Sequence, residues 1–486
     1  MSGLPVLVRL DDVDDGALNP ARPTPAQSRA LLLLTTAAMA LAWANVAAGP
    51  FQWDDYAVIV NNPRVHALGA WVAALRDGIR PVLALTYAVQ WVAGAGPGDF
   101  HRLNFAIHAV NVVLAWRLCR RLVGPTPAAV AALLFAIHPV QTEAVTYVSG
   151  RSASLAALFY LAGLLAWPCA RDGAWGRRVL ALGAFALALG SKETAVTWPA
   201  ALLLLEVAAD PAGGWAPALR RTAPAWAMAV VATTLLAMSP RYRALLQFSL
   251  ALRDPLTNLP TGVQAMGYLL SRLVLVRRLS IDPGLVAPAG WSALLAIGAA
   301  VIVAGAAVAL ATMRRHAATS FAVLWFLLQL LPTGSLVARA DVVSERHLYL
   351  ALLGPALLAG IALETLRSRG SFAAAIATAA VAIAVAVLAV ATHLRNRDYA
   401  SEVTLWAAAV RLTPDNPRAL NNLGWAWHRA GCRAEARAAY EAALLLQPDH
   451  PTARGNLAGV ATAPAAPCAL GWEALGLRRP SPATGP

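Results

Sequence analysis

The sequence predicts an all-α, polytopic membrane protein of about eleven transmembrane helices with a helical repeat at its C-terminal end. Of its residues 58% are hydrophobic and only 13% charged, where a soluble protein carries about a quarter charged. Apolar stretches of about 20 residues, the length that crosses hydrocarbon, recur along the chain. After residue 393 they give way to a more polar, repeat-like stretch.

The elements follow in order. Residues 1–28 carry Arg9 but also Asp11, Asp12, Asp14 and Asp15. A cleavable signal would run from a basic head straight into a short apolar core. The expectation is a disordered cytoplasmic leader, with the first span as an uncleaved anchor. Candidate spans cover 30–49, 103–122, 127–147, 152–168, 178–190, 193–208, 222–238, 291–312, 318–336, 345–365 and 372–392. The apolar stretch 263–280 is interrupted by Arg272, Arg277 and Arg278, and reads as re-entrant or interfacial.

Arginines decide the topology, because short cytoplasmic loops hold the excess of positive charge. With the N-terminus inside, Arg117, Arg120, Arg121, Arg171, Arg177, Arg178, Arg220, Arg221, Arg314, Arg315, Arg367 and Arg369 all fall on the cytoplasmic side. Counting 263–280 as a crossing would put the last four outside. The membrane core is therefore expected over 29–393, with outer loops at 50–100 and 239–290. The expected location is the inner (cytoplasmic) membrane, with the C-terminal end on the periplasmic side.

From Asn416 onward, Leu423, Gly424, Trp427, Ala436, Tyr440, Ala443 and Pro448 fall at the offsets of a 34-residue tetratricopeptide repeat. Trp406, Ala409 and Pro414 suggest a half-repeat before it; Asn456 and Leu457 suggest one after. The repeat region is expected over 394–461. A disordered Pro/Ala-rich tail is expected over 462–486.

The formal net charge of +14 follows from basic cytoplasmic loops and does not imply nucleic-acid binding. Lys192 is the single lysine among 39 basic residues, in an Ala-, Arg-, Gly- and Pro-rich composition that points to a GC-rich bacterial genome. Cys119, Cys169, Cys432 and Cys468 show no metal spacing. Only the last two can share an oxidising compartment, so at most one disulfide is expected.

The scarce charges converge on the outer side. Asp54 and Asp55 emerge just beyond the first span, and ionisable groups at membrane depth are functional candidates. With them come Arg80-Pro81, His101 with Asn104, His138 with Glu143 and Arg151, Ser191-Lys192-Glu193, and Ser344-Glu345-Arg346-His347. His101 and His108 equally fit satisfied interior histidines, and Arg346 an interfacial anchor. His138 and Glu143 suit a divalent ion by type, but their spacing is no recognised ligand set, so no metal is expected.

Together, Trp53-Asp54-Asp55-Tyr56, Arg80-Pro81, Phe100-His101, Asn104, His108, Asn111, His138-Pro139, Glu143, Ser149-Gly150-Arg151, Ser191-Lys192-Glu193, Glu345-Arg346-His347 and the repeat resemble a known group. It is the transmembrane and tetratricopeptide-repeat O-mannosyltransferase-like family of the C-type glycosyltransferase superfamily, and the likeness covers roughly residues 30–460. The repeat array here is short for that family.

The resemblance implies a polyprenyl-phosphate-dependent hexosyltransferase that moves a sugar, mannose in the family, onto a hydroxyl of an extracytoplasmic protein or glycan. The donor sits in membrane lipid, and the repeats engage the acceptor. Transfer to a hydroxyl needs a general base; the superfamily places it at the acid after the first span. That role falls to Asp54 first, with Asp55 as positioning partner or alternate. The leaving phosphate needs fixed cations. Arg151, Lys192 and Arg346 are the primary candidates, with Arg80, His101, His138 and Glu143 beside them. A reading from another class is a non-catalytic membrane scaffold that assembles an envelope complex through its repeats.

Overall fold

The computed structural model describes residues 25–76, 78–168, 175–334, 338–460 and 468–478. Among these the secondary structure is helical, with no strand. A helix lies in each expected span. They are Pro25–Trp43, Pro97–Arg120, Pro125–Ile137, Arg151–Ala166, Trp175–Ser191, Trp198–Ala209, Trp215–Met238, Ala293–Thr312, Ala317–Leu330, Leu353–Arg367 and Ser371–Asp398. Proline opens several of them, where its missing N–H costs no hydrogen bond. The first helix begins at Pro25, inside the stretch expected to be a leader; residues 1–24 lie outside the described residues.

Length and apolarity let three of the described helices cross a bilayer, or up to six if each bent pair is one span. The chain is a multi-pass membrane protein. Burial sorts these helices. The apolar window of Val148–Ala166 is 78% buried, so it forms the centre of the bundle, whereas that of Ala293–Thr312 is 6% buried and leaves nearly its whole apolar surface uncovered by the described residues. Within Pro125–Val145 the axis bends by 52° at Pro139, which cannot continue the helix that ends at Ile137.

The 263–280 stretch holds the 14-residue helix Leu259–Arg272. At 1.5 Å per residue it extends roughly 21 Å, too short for hydrocarbon of about 30 Å. One face (Pro260, Thr261, Gly262, Ala265, Leu269) is buried. Gly262 is needed there, since a Cβ would stand 2.1 Å from the Gly334 carbonyl oxygen. The stretches 50–100 and 239–290, expected as outer loops, carry further helices, Leu68–Ala73, Pro81–Val92 and Pro240–Leu252.

The C-terminal helices Glu402–Leu412, Pro417–Arg429, Arg433–Leu446 and Pro451–Val460 form a second core. Asn416 caps the repeat by accepting from the Arg418 and Ala419 amides. Gly424 lets the paired helices close, because a Cβ there would meet the Tyr440 ring at 2.7 Å. Residues 468–478, within the stretch expected to be disordered, fold back onto this core. The Cys432–Cys468 disulfide ties them down, Trp427 Nε1 donates to the Leu470 carbonyl (2.7 Å), and Trp472 is buried. Residues 461–467 and 479–486, and Cys169, lie outside the described residues.

The repeat region docks on one end of the membrane core. Arg418 pairs with Asp282 and Asp341, both at 2.6 Å. The chain reaches that end through Ser371–Asp398, whose Asn396 donates to the Ala42 carbonyl at the end of the first helix (3.0 Å).

Candidate functional site

Where the first helix leaves the bundle, the segment Gln52–Tyr56 makes a tight turn that presents its two acids differently. Asp55 is 1% exposed. It accepts from the Gln52 amide (2.9 Å), the Ser149 amide (2.8 Å) and the Ser149 hydroxyl. Burial pushes its pKa up to about 7 against these donors. A carboxylate so enclosed fastens the turn to the core and offers no oxygen to a substrate. Asp54 is only partly covered. Its amide donates to the Tyr147 hydroxyl (2.9 Å), burial raises its pKa, and the nearby Arg346 guanidinium opposes that shift. The neighbours therefore take separate roles, one holding and one facing outward beside a cation.

Arg346 is placed by Glu143. That buried carboxylate accepts from the Arg346 amide (3.0 Å) and the Ser344 hydroxyl, and stands 3.6 Å from the Arg346 Nε. Its partner in the same turn, Glu345, accepts from the Ser280 amide (2.8 Å) and the Tyr268 hydroxyl (2.9 Å). The turn carrying Arg346 is thus pinned by two carboxylates from below, while the guanidinium reaches toward Asp54.

Lys192 lies across from it. The side chain is 6% exposed, and among the described residues no ion pair or hydrogen bond reaches its amine. Its pKa is held well below the ordinary lysine range, first by burial and then by Arg346, Arg80 and Arg339. Glu193 does not neutralise it, being bound to Arg80 (2.8 and 3.0 Å) and to the Tyr242 hydroxyl (3.0 Å). A small cavity is lined by Lys192 and Arg346 together with Ala153, Ala157, Tyr160 and Gln329. Cations in excess beside it suit an anionic group.

The structure brings Asp54, Lys192, Arg346 and, through Glu193, Arg80 together. It sets other candidates apart. Arg151 is fully buried; it donates to Asn104 (2.5 Å), Thr86 (3.1 Å) and the Phe100 carbonyl (3.1 Å), and its guanidinium lies over Tyr87. It is an interior strut. His138 is likewise spent, one ring nitrogen on the Leu273 carbonyl and the other accepting the Val140 amide. His101 contacts the Gly49 carbonyl (3.0 Å), holding the exit of the first helix. Glu143, an anion, serves Arg346 rather than a phosphate.

Arg339 is the residue the sequence reading missed. Its electrostatic neighbours are Arg346, Arg80, Glu193 and Asp341, and the Pro240–Leu252 helix and its end hold its backbone, through Ser249 to the Ala338 carbonyl (2.5 Å) and Arg253 to the Arg339 carbonyl (2.8 Å). Its position shortly before the Ser344–His347 turn was the available signal. Among the described residues no group of three or more His, Cys, Asp or Glu could hold a metal ion.

The tetratricopeptide-repeat family model matches residues 417–450, so the chain carries that repeat. Protein O-mannosyl-transferase TMTC3 of Mus musculus is 29% identical over 184 residues, 34% of this chain and 20% of that protein. Protein O-mannosyl-transferase Tmtc3 of Drosophila melanogaster is 26% identical over 453 residues, 76% of this chain and 48% of that one. The chain's relatives are protein O-mannosyl-transferases. The resemblance read from the motifs holds. TMTC1 of Homo sapiens is 33% identical over 29% of this chain and 18% of its own length. The chain spans less than half the length of each of these curated relatives. Among solved structures, the Archaeoglobus fulgidus oligosaccharyltransferase in the apo form overlaps 81% of this chain and 60% of that one. Its TM-score of 0.40 and 12% identity are too low to carry an argument.

Proposed function

We propose that the chain is a membrane glycosyltransferase moving a sugar from a polyprenyl-phosphate donor to a hydroxyl of a protein acceptor outside the cytoplasm. The protein O-mannosyl-transferase relatives make mannose the first sugar to try. The observation that carries the reading is a part-exposed Asp54 with Arg346 as its electrostatic neighbour, set beside a Lys192 that makes no ion pair among the described residues.

In the proposed reaction the acceptor oxygen attacks the anomeric carbon while Asp54 takes its proton. The bond from that carbon to the phosphate oxygen breaks, and the lipid phosphate leaves with its charge facing Arg346, Lys192 and Arg339. Asp55 keeps the turn in place. The active side is the periplasmic face of an inner membrane crossed about eleven times, as the arginine pattern implies. A scaffold would have no use for charges drawn from several separate segments to one place, which favours the enzyme.

The test is transfer by purified protein from polyprenyl-phosphate mannose to a Ser/Thr-containing peptide. Glycopeptide formed together with released polyprenyl phosphate supports the reading. No product from this donor or from its glucose and galactose counterparts would remove it.

A further inference from the structure

We propose that Glu402 and Trp406, from the helix that precedes the tetratricopeptide repeat, are positioning residues that hold the Asp54 turn in its working conformation. The inference rests on the assignment of Asp54 as the base. Trp53, immediately before it, has φ 47°. That left-handed region suits glycine and is a true outlier for a bulky aromatic residue. Such a conformation persists only where the surroundings over-determine it.

The surroundings that do so come from the C-terminal helices. The Trp53 amide donates to Glu402 Oε1 (3.2 Å), and the Trp53 ring packs edge-on against Trp406 with centroids 4.9 Å apart. Glu402 is itself aimed by Arg429, whose guanidinium donates to Oε2 (3.2 Å) and covers the Tyr56 ring at 3.8 Å. Just upstream, the Gln52 side-chain amide donates to the Tyr399 carbonyl (2.5 Å). On its other side the turn is fixed by Tyr147 and Ser149. The base is thus clamped between the membrane core and the repeat region, and neither alone holds Trp53.

The consequence is a coupling. Pro417–Arg429 sends Arg429 to the base turn and Arg418 to Asp341, a neighbour of Arg339. A shift of that one helix moves both the base and the cation side of the site, so an acceptor seated on the repeat can report to the chemistry.

Hydrogen exchange on the full-length protein in detergent tests this without needing activity. The Asp55 and Tyr56 amides bond across the turn to the Gln52 and Trp53 carbonyls, so they report its closure. Glu402→Ala should raise their exchange at least about tenfold, as loss of a charged hydrogen-bond partner implies, with the Arg151–Ala166 helix still protected. Glu402→Gln keeps an acceptor for the Trp53 amide but loses the one that Arg429 uses, so it should raise their exchange by less than Glu402→Ala. In transfer assays, Glu402→Ala should lower kcat with the donor KM unchanged, and Glu402→Gln should lower it less. Wild-type exchange in Glu402→Ala, or equal loosening by Glu402→Gln, would overturn the clamp. Absence of transfer in the wild type would sink the enzyme reading and leave the exchange result standing.

Discussion

Glu193 turns away from Lys192 beside it and closes a two-point pair with Arg80, 113 residues earlier in the chain. The lysine is left buried among Arg346, Arg80 and Arg339. A charge kept in that position is destabilising unless something else neutralises it.

Lys192→Met should therefore not lower the melting temperature in the absence of donor, while donor KM rises by about tenfold or more, as loss of one charge-assisted contact implies. The folded protein binds this proton less tightly than the unfolded chain. Wild-type stability should then rise with pH in the alkaline range below the ordinary lysine pKa, and the variant should lack that rise. Thermal melts with and without polyprenyl phosphate, across pH, check both statements.

Asp55 behaves oppositely. Its folded pKa, pushed up to about 7, exceeds the unfolded value of 3.8, so the folded state holds the proton longer. The stability this group contributes is present at low pH and is lost as pH rises through about 7. The melting temperature of the wild type, taken relative to Asp55→Asn, should fall between about pH 4 and pH 7 by this linkage and level off above it. A difference that grows over the same range would show that the donors of Ser149 and Gln52 outweigh burial.

The Cys432–Cys468 bridge closes a separation of 36 residues. Removing it with Cys432→Ala should cost about 4 kcal/mol on the chain-entropy argument. Maleimide labelling in cells should reach Cys432 only after a membrane-impermeant reductant is added. Labelling without reductant would place the repeats in a reducing compartment and overturn the arginine-based topology.

Two ion pairs of similar length should differ in worth. Arg418 and Asp282 meet at 2.6 Å with Asp282 only 3% exposed, whereas Arg437 and Glu441 meet at 2.7 Å with both well exposed. Arg418→Ala strands a buried carboxylate and should cost about 1–3 kcal/mol. Arg437→Ala should cost about 0–1 kcal/mol. Chemical denaturation of the two variants decides it.

What the sequence showed and what it hid divide along physical lines. The repeat was legible because Leu423, Gly424, Tyr440 and Ala443 are required at fixed offsets by close helix packing. The short amphipathic helix before Arg272 was betrayed by its arginines. Arg151 misled because a residue type suited to phosphate says nothing of its partners. Asn104, Thr86 and the Phe100 carbonyl come from other elements and engage each of its three nitrogens. The Arg80–Glu193 pair and Arg339 went unread for the same reason: both depend on tertiary approach. The packed segment 468–478 was hidden by its Pro/Ala-rich surroundings.

The most direct measurement is single-turnover transfer from saturating donor by Asp54→Asn and the wild type. Asn keeps the volume and loses the base, so the rate should fall by a factor of about 10²–10⁴, with donor affinity and melting temperature little changed. Transfer by Asp54→Asn at the wild-type rate, from protein that binds donor normally, would contradict the account.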